Sequence, residues 1–230
     1  MDSPVMGYLA NATDSHGLPA MSFPILITSF APWQAHQLSN SSDDLLMYLH
    51  RQRGLPANVT MLRHLPVNYE LAPAIVMAKL LELCPRLILC CGMAESRPCL
   101  SLEQTGRWQQ TVLYTSLDLT RLVRDTRVTQ ISDHAGNYVC NYLYFRLLDF
   151  IQRQRWPTLA LFIHVPVLTS ANRAILAADF ALILRRLTLW AIQAMSGEDT
   201  PYPAKSSPAV LPLATGTAPV PANVSAKSNP

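Results

Sequence analysis

Short apolar segments alternate with amphipathic segments along most of this chain, and this alternation limits the fold more than any other feature. The runs at 25–28, 86–91 and 158–165 are brief and nearly all apolar, as buried strands are. The longer segments between them space their apolar residues at helical intervals. Strands that are apolar on both faces need cover on both faces, so the alternation predicts an α/β fold. We expect a single-domain α/β/α sandwich with a mostly parallel or mixed central sheet covered by helices on both faces.

Residue patterns also predict where the individual elements lie. The expected strands are 24–30, Val59–Leu65, 86–91 and 158–165, with weaker candidates at Thr111–Tyr114 and 127–131. The expected helices are 41–53, 68–83, 138–150 and 171–195. Ser41 or Ser42 is expected to cap the first helix, with Asp43 and Asp44 in its first turn, where negative charge is favourable.

Composition excludes several classes of function. The chain has 230 residues and a formal charge of +3, and 14% of its residues are charged, with no run of lysine or arginine. It therefore lacks the electrostatic pattern of a protein that binds nucleic acid or a membrane surface, and we expect neither partner. The apolar segment 171–195 is interrupted by Arg173, Asp179 and Arg185, which favours a long amphipathic helix over a membrane span.

Both ends of the chain differ from the segment between them. Residues 1–22 are mixed and polar and do not read as a secretory signal, so we expect a flexible N-terminal extension. Residues 196–230 are rich in proline, alanine and serine and hold seven of the 18 prolines, which argues against a packed core there. The sequence thus predicts one domain at 23–195 and a disordered tail at 196–230.

The cysteines indicate neither a disulfide framework nor a metal site. Their number is odd, and none has the spacing of metal ligands. The five cysteines are Cys84, Cys90, Cys91, Cys99 and Cys140. We therefore expect no metal and no cofactor, and a reducing cytoplasm as the location that suits free thiols.

One cysteine has a setting that suits chemistry. Cys140 follows the turn-forming residues Ser132, Asp133 and Gly136 and would lie in the first turn of the helix predicted at 138–150. Unsatisfied backbone N–H groups and the helix dipole at that place favour a thiolate, so we expect the pKa of Cys140 to be lowered. The alternative interpretation is a buried structural cysteine, which is common for this residue type.

One histidine is predicted at a position that suits a base for that thiol. His164 ends the strongest predicted strand, and the carboxyl ends of parallel strands commonly border an active-site crevice. His134, beside the cysteine turn, is its rival for this role.

These motifs resemble one known family. The pattern Ser132-Asp133-x-Ala-Gly-x-Tyr-Val-Cys140-Asn resembles the cysteine motif of the pyroglutamyl peptidases, also called pyrrolidone-carboxylate peptidases. The stretch from Phe162 to Pro166 resembles the family's histidine motif. Residues 92–97 match its Gly-x-Ala-Gly-Gly-Arg element at the first glycine, the alanine and the arginine. The family's catalytic glutamate falls at Glu103.

The resemblance implies an activity and a set of site residues. Glu103, Cys140 and His164 would form a catalytic triad that removes an N-terminal pyroglutamyl residue from peptides through a thioester, which makes 23–195 a catalytic domain. Substrate binding would fall to five further residues, namely Phe30, Trp33, Arg97, Tyr138 and Val139. Phe30 and Trp33 would wall the flat pyrrolidone ring. The family needs no cofactor and is often oligomeric, so a homo-oligomer is also expected.

The chain also departs from the family pattern in its loops. Gln34 and Ala35 replace two glycines after the first strand, and Glu95 and Ser96 replace two more after the third. Trp108 enters close to the expected glutamate. An alternative hypothesis is therefore a divergent homologue with a remodelled pocket, either non-catalytic or acting on another N-terminal amide. A third is a scaffold that works through its proline-rich tail.

Overall fold

Eight strands and five helices are present in residues 23–196, the part of the chain that the structure, a computed structural model, describes. The strands are β1 (Ile25–Phe30), β2 (Val59–Leu65), β3 (Leu87–Met93), β4 (Leu100–Glu103), β5 (Thr105–Trp108), β6 (Thr111–Tyr114), β7 (Thr129–Ser132) and β8 (Leu159–Val165). The helices are α1 (Ser41–Arg51), α2 (Leu71–Leu83), α3 (Leu119–Leu122), α4 (Val139–Arg153) and α5 (Arg173–Ser196). The N-terminal extension predicted at 1–22 and the tail predicted at 196–230, apart from its first residue, lie outside the described residues.

Six of these strands form one mixed sheet in the order β2-β1-β3-β8-β4-β7. The first four run parallel, whereas β4 is antiparallel to β8 and parallel to β7. Strands β5 and β6 pair as a separate antiparallel hairpin. The predicted α/β fold with a mostly parallel or mixed sheet is confirmed.

Alternation along the strands produces two cores, one on each face of the sheet. In β1, Ile25 and Ile27 pack on the face that is covered by α1, α3 and α5, whereas Leu26 packs on the face that is covered by α2 and α4. In β8, Leu161 and Ile163 follow the first pattern and Phe162 the second. The result is a three-layer sandwich, in which the site described below lies on the α2 and α4 face.

Helix α1 begins with a cap one residue before the serines expected to cap it. Asn40 is the cap, and its side-chain oxygen accepts a hydrogen bond from the backbone N–H of Ser42 at 3.0 Å. Asp43 lies in the first turn as predicted, but it is also tied to β2 by two hydrogen bonds from Arg63, at 2.8 and 2.7 Å. The cap prediction was wrong because asparagine accepts this bond as readily as serine.

Strand β4 was not predicted, and its composition explains why. It has only four residues, and two of them, Ser101 and Glu103, are polar yet fully buried. A buried glutamate is rare unless it is paired, and the histidine partner of Glu103, His164, lies 61 residues away in the sequence. The sequence analysis therefore predicted no strand at Glu103, whereas the structure places it at the end of β4.

Helix α5 packs against α1 and α3 on its face of the sheet, close to the predicted range of 171–195. Within this helix Asp179 is buried and accepts hydrogen bonds from the backbone N–H groups of Arg127 and Val128. In residues 23–196 no helix combines the length and the apolar character that a membrane crossing requires.

Candidate active site

Strand alternation puts two functional groups on the same face of the sheet. In β8, Phe162 faces α4, so His164, two residues further, points to the same side. In β4, Leu100 and Leu102 pack on the opposite face, so Glu103 also points toward α4. The period of two residues in these strands therefore brings the glutamate and the histidine together.

The two side chains make a direct buried contact. Glu103 is the register partner of Phe162 in the antiparallel pair, one step diagonal to His164. Its Oε1 lies 2.7 Å from Nδ1 of His164, and the two residues are 0% and 5% exposed. A carboxylate accepts only, so we assign the Nδ1 proton to the histidine, which leaves Nε2 able to accept a proton.

Arg97 holds the same carboxylate. Its Nη1 lies 2.8 Å from Oε1 of Glu103, and its Nη2 donates a hydrogen bond to the carbonyl oxygen of His134 at 2.8 Å. A buried carboxylate needs such a partner, because an isolated buried charge is very costly. Oε2 of Glu103 has no hydrogen-bond partner among the described residues. The arginine expected to bind substrate thus contacts the glutamate and the turn before α4.

Cys140 lies in the first turn of α4, as predicted, and its sulfur rests against Gly92. A β-carbon on Gly92 would be 2.8 Å from Sγ of Cys140 and 3.0 Å from Cζ of Phe162. Gly92 is also the register partner of His164 across β3 and β8. The thiol is therefore beside the histidine and glutamate pair, although no hydrogen bond joins Sγ to His164 within the described part of the chain.

The environment of the thiol differs from the expectation. The residue is partly exposed, but burial of its sulfur, with smaller contributions from Cys90 and Glu103, raises the pKa of Cys140 to about 12. The predicted lowering by the helix N-terminus was wrong, because loss of solvent outweighs the dipole. In the free protein the thiol is neutral, so a reaction at this sulfur requires a base.

The remaining residues that were expected to bind substrate differ in their burial. Trp33 and Tyr138 are 47% and 63% exposed, and their ring centroids are 5.6 Å apart. Phe30 and Val139 are buried in the core between the sheet and α4. Trp33 and Tyr138 can therefore contact an incoming molecule directly, whereas Phe30 and Val139 belong to the core.

Sequence reasoning missed several residues around this place. His36, Gln37 and Glu95 form a hydrogen-bonded network between the loops that follow β1 and β3. Tyr69 donates a hydrogen bond to the carbonyl oxygen of Asn137 at 3.0 Å, in the turn that leads to α4. These partners lie more than 50 residues apart in the chain, and no sequence pattern points to them.

Two other features have no part in this site. His134 is exposed, and its Nδ1 accepts a hydrogen bond from the backbone N–H of Gly136 at 3.0 Å, which makes it a turn residue rather than a base for Cys140. A cavity of about 300 Å³ between residues 53–56 and α5 lies on the opposite face of the sheet.

Among the described residues no group of three or more acidic, histidine or cysteine side chains could hold a metal ion.

Comparisons with known proteins find similarity to one family. The family model described as pyroglutamyl peptidase matches residues 110–181, which include Cys140 and His164. A pyrrolidone-carboxylate peptidase of Thermococcus litoralis is 27% identical over 168 residues, which are 62% of this chain and 76% of that protein. A pyrrolidone-carboxylate peptidase of Bacillus cereus is 21% identical over 170 residues, 63% of this chain and 78% of that protein.

Solved structures show the same fold. The pyrrolidone carboxyl peptidase of Thermococcus litoralis superimposes with a TM-score of 0.64 at 20% identity, over 79% of this chain and 99% of that one. The pyroglutamyl peptidase I of Bacillus amyloliquefaciens gives a TM-score of 0.63 at 18% identity, over 76% of this chain and 97% of that one. The family model and the curated relatives indicate similarity to the pyroglutamyl peptidase family, and the solved structures share this fold.

Proposed function

We propose that this protein is a cysteine exopeptidase that hydrolyses the amide bond after an N-terminal pyroglutamyl residue. The observation that carries the proposal is the buried pair of Glu103 and His164, at 2.7 Å, on the sheet face where Cys140 rests against Gly92. Nucleophile, base and orienting acid on one face are what covalent catalysis of amide hydrolysis needs. The relatives named pyrrolidone-carboxylate peptidase supply the substrate class.

Recognition of the substrate would rest on shape and hydrogen bonds. The nitrogen of a pyroglutamyl ring is an uncharged lactam, so no acidic residue is needed to hold it. Trp33 and Tyr138 offer exposed aromatic surface to the flat ring, and Phe30 and Val139 belong to the apolar core on the same face of the sheet. Arg97 is committed to Glu103, so we assign it to positioning the triad rather than to the ring.

Acylation would begin with proton transfer from Cys140 to Nε2 of His164. The sulfur then attacks the pyroglutamyl carbonyl carbon, and the tetrahedral intermediate carries its negative charge on the carbonyl oxygen. Backbone N–H groups in the first turn of α4, at Val139 and Cys140, are suited to that oxygen because N-terminal helical N–H groups lack partners within the helix. Each such donor typically contributes about 3 kcal/mol to the transition state.

Collapse of the intermediate breaks the C–N bond, and the proton held on His164 passes to the leaving amine. His164 then takes a proton from water, the resulting hydroxide attacks the thioester, and the thiol of Cys140 regains its proton as pyroglutamate leaves. Glu103 stabilises the imidazolium at both stages through its contact with Nδ1. The raised pKa of Cys140 favours this base-assisted route over a preformed thiolate.

The alternative proposal is a homologue whose pocket accepts another N-terminal amide. It draws on the hydrogen bonds of Glu95 with His36 and Gln37, since Glu95 stands where the family has a glycine. A pocket built this way could keep the triad and change the group that fits against Trp33.

Release of a fluorescent amine from pyroglutamyl and prolyl amides, under reducing conditions, tests both proposals. We expect hydrolysis of the pyroglutamyl amide by the wild type, and loss of it in Cys140→Ala and His164→Ala. Cys84→Ala, which changes an exposed cysteine at the end of α2, is the matched control and should stay active. Turnover of the prolyl amide alone would favour the alternative, and equal turnover by Cys140→Ala would contradict both.

A further inference from the structure

Hydrogen bonds join the two loops in which this chain lacks the glycines of the resembling family. One follows β1 and contains Trp33 and Gln34, and the other follows β3 and contains Glu95. β1 and β3 are parallel neighbours, so both loops leave the same edge of the sheet. Gln34 and Glu95 each stand where the resembling family has glycine.

Glu95 forms the centre of the connection. Its Oε1 lies 2.9 Å from Nε2 of His36 and accepts a hydrogen bond from Nε2 of Gln37 at 2.8 Å. Its Oε2 lies 3.2 Å from the same histidine nitrogen. Hydrogen bonds from Gln37 and then from His36 hold the pKa of the Glu95 carboxyl below its usual value, which keeps it charged in this setting.

Gln37 also forms hydrogen bonds with the backbone at Trp33. Its Oε1 accepts hydrogen bonds from the backbone N–H of Trp33 at 3.0 Å and of Gln34 at 3.3 Å. One end of the Gln37 amide therefore holds the chain at Trp33, and the other end is held by Glu95. The Trp33 ring meets Tyr138, two residues before Cys140, with centroids 5.6 Å apart.

The side chain of Trp33 is not anchored in the hydrophobic core. Nearly half of its surface is exposed, and it belongs to neither of the two buried cores. Its position beside Tyr138 therefore depends on the loop backbone. The side chain of Gln37, held by Glu95, fixes that backbone at Trp33, in addition to the backbone hydrogen bond from Gln37 to the carbonyl oxygen of Gln34. Exposed ion pairs contribute little to the free energy of folding, so the network suits positioning better than stability.

We propose that Glu95 and Gln37 are positioning residues that hold Trp33 over the ring-binding site and so determine how tightly the substrate ring binds. This inference rests on the proposed function for the identity of the ring. The network replaces the backbone freedom of the glycines with fixed contacts between side chains. Its loss releases Trp33 without touching Glu103, His164 or Cys140, so it changes KM and leaves kcat nearly unchanged.

Steady-state kinetics with a pyroglutamyl amide test the inference. Glu95→Ala and Gln37→Ala are expected to raise KM about tenfold, with kcat within about twofold of the wild type. Glu95→Gln keeps an acceptor for Gln37 and is expected to recover most of that loss. Glu82→Gln removes an exposed ion pair with Lys79 on α2 and is the matched control, with no expected change.

Acrylamide quenching of Trp33 fluorescence supplies a readout that does not need activity. The chain has four tryptophans, so the Trp33 signal is the difference between each protein and the same protein carrying Trp33→Phe. Glu95→Ala and Gln37→Ala should make Trp33 more accessible, and Glu82→Gln should not. If the wild type were inactive but showed this quenching pattern, the proposed function would be wrong, whereas the positioning of Trp33 by Glu95 and Gln37 would be supported.

Three results would overturn the inference. Unchanged KM together with unchanged quenching in Glu95→Ala and Gln37→Ala would show that the network does not hold Trp33. A fall in kcat with constant KM would place the effect at the triad instead. An equal rise in KM in Glu82→Gln would show that any lost surface ion pair has the same effect.

Discussion

The β-carbon that Gly92 lacks would lie 2.8 Å from Sγ of Cys140. Real β-carbons do not approach other atoms so closely, so a side chain at this position and the thiol at its present position exclude each other. Gly92 pairs in register with His164, so the space that it leaves open holds the sulfur next to the strand position of the histidine. A glycine in the middle of a sheet usually marks such a close approach.

Gly92→Ala should therefore lower kcat sharply while the protein still folds. The added methyl pushes Sγ away from His164, and a misplacement of about 1 Å can cost about 10²-fold in rate. Contact with Phe162 adds overpacking of about 1 to 3 kcal/mol, which urea unfolding can measure. Gly54→Ala, which meets only Leu49 at 3.3 Å, is the control. Full activity in Gly92→Ala would contradict the placement of the sulfur.

Glu103→Gln should lower kcat by about 10²- to 10⁴-fold with a smaller change in KM. A glutamine cannot stabilise the imidazolium of His164 and can select the wrong tautomer through its amide group. Steady-state kinetics against the wild type measure the effect, with Glu82→Gln as the surface control. If Glu103→Gln kept its kcat, the carboxylate would have only a structural role.

Arg97→Gln distinguishes a positioning role from substrate binding. Removing the guanidinium leaves the carboxylate of Glu103 buried with His164 as its remaining partner, and loss of one member of a buried pair typically costs about 3 to 5 kcal/mol. We therefore expect a lower midpoint of urea unfolding and a lower kcat. In Glu103→Gln, where the charge is absent, the same Arg97 substitution should cost less. A rise in KM with unchanged stability would instead mean that Arg97 binds substrate.

Alkylation of Cys140 by iodoacetamide should become faster as pH rises. Because burial raises the pKa of this thiol to about 12, its thiolate fraction grows about tenfold with each pH unit through the neutral and mildly alkaline range. Labelling followed by peptide mapping, from pH 6 to 10, measures the rate at this cysteine alone. A rate that is already constant from pH 6 to 8 would indicate a thiolate paired with protonated His164, and would contradict the neutral thiol.

Strong local patterns made much of the fold predictable from sequence. β2 was predicted with its observed bounds, and Cys140 was correctly expected in the first turn of α4, because turn residues and apolar spacing mark both elements. Strand β4 was missed because the burial of Glu103 depends on Arg97 in the preceding loop and on His164 in β8. The same limit applies to the pKa of Cys140, since burial is a property of the folded chain.

The sequence predicted individual residues of the site, but it did not predict the contacts between its loops. Family motifs singled out Glu103, Cys140 and His164, and the structure brings all three to one face of the sheet. The ties from Glu95 to His36 and Gln37 join loops that are 58 or more residues apart. Each residue alone looks like an ordinary exposed polar side chain, so only the folded arrangement relates them to Trp33.

Covalent labelling with the chloromethyl ketone of pyroglutamic acid tests most directly whether Cys140 is the nucleophile of a pyroglutamyl site. We predict one equivalent of label per chain, mapped to Cys140, with protection by 2-pyrrolidone and slower labelling in His164→Ala. The exposed Cys84 serves as the internal reference for nonspecific alkylation. Labelling of Cys84 at the same rate as Cys140, or no protection by the ring compound, would contradict the proposed site.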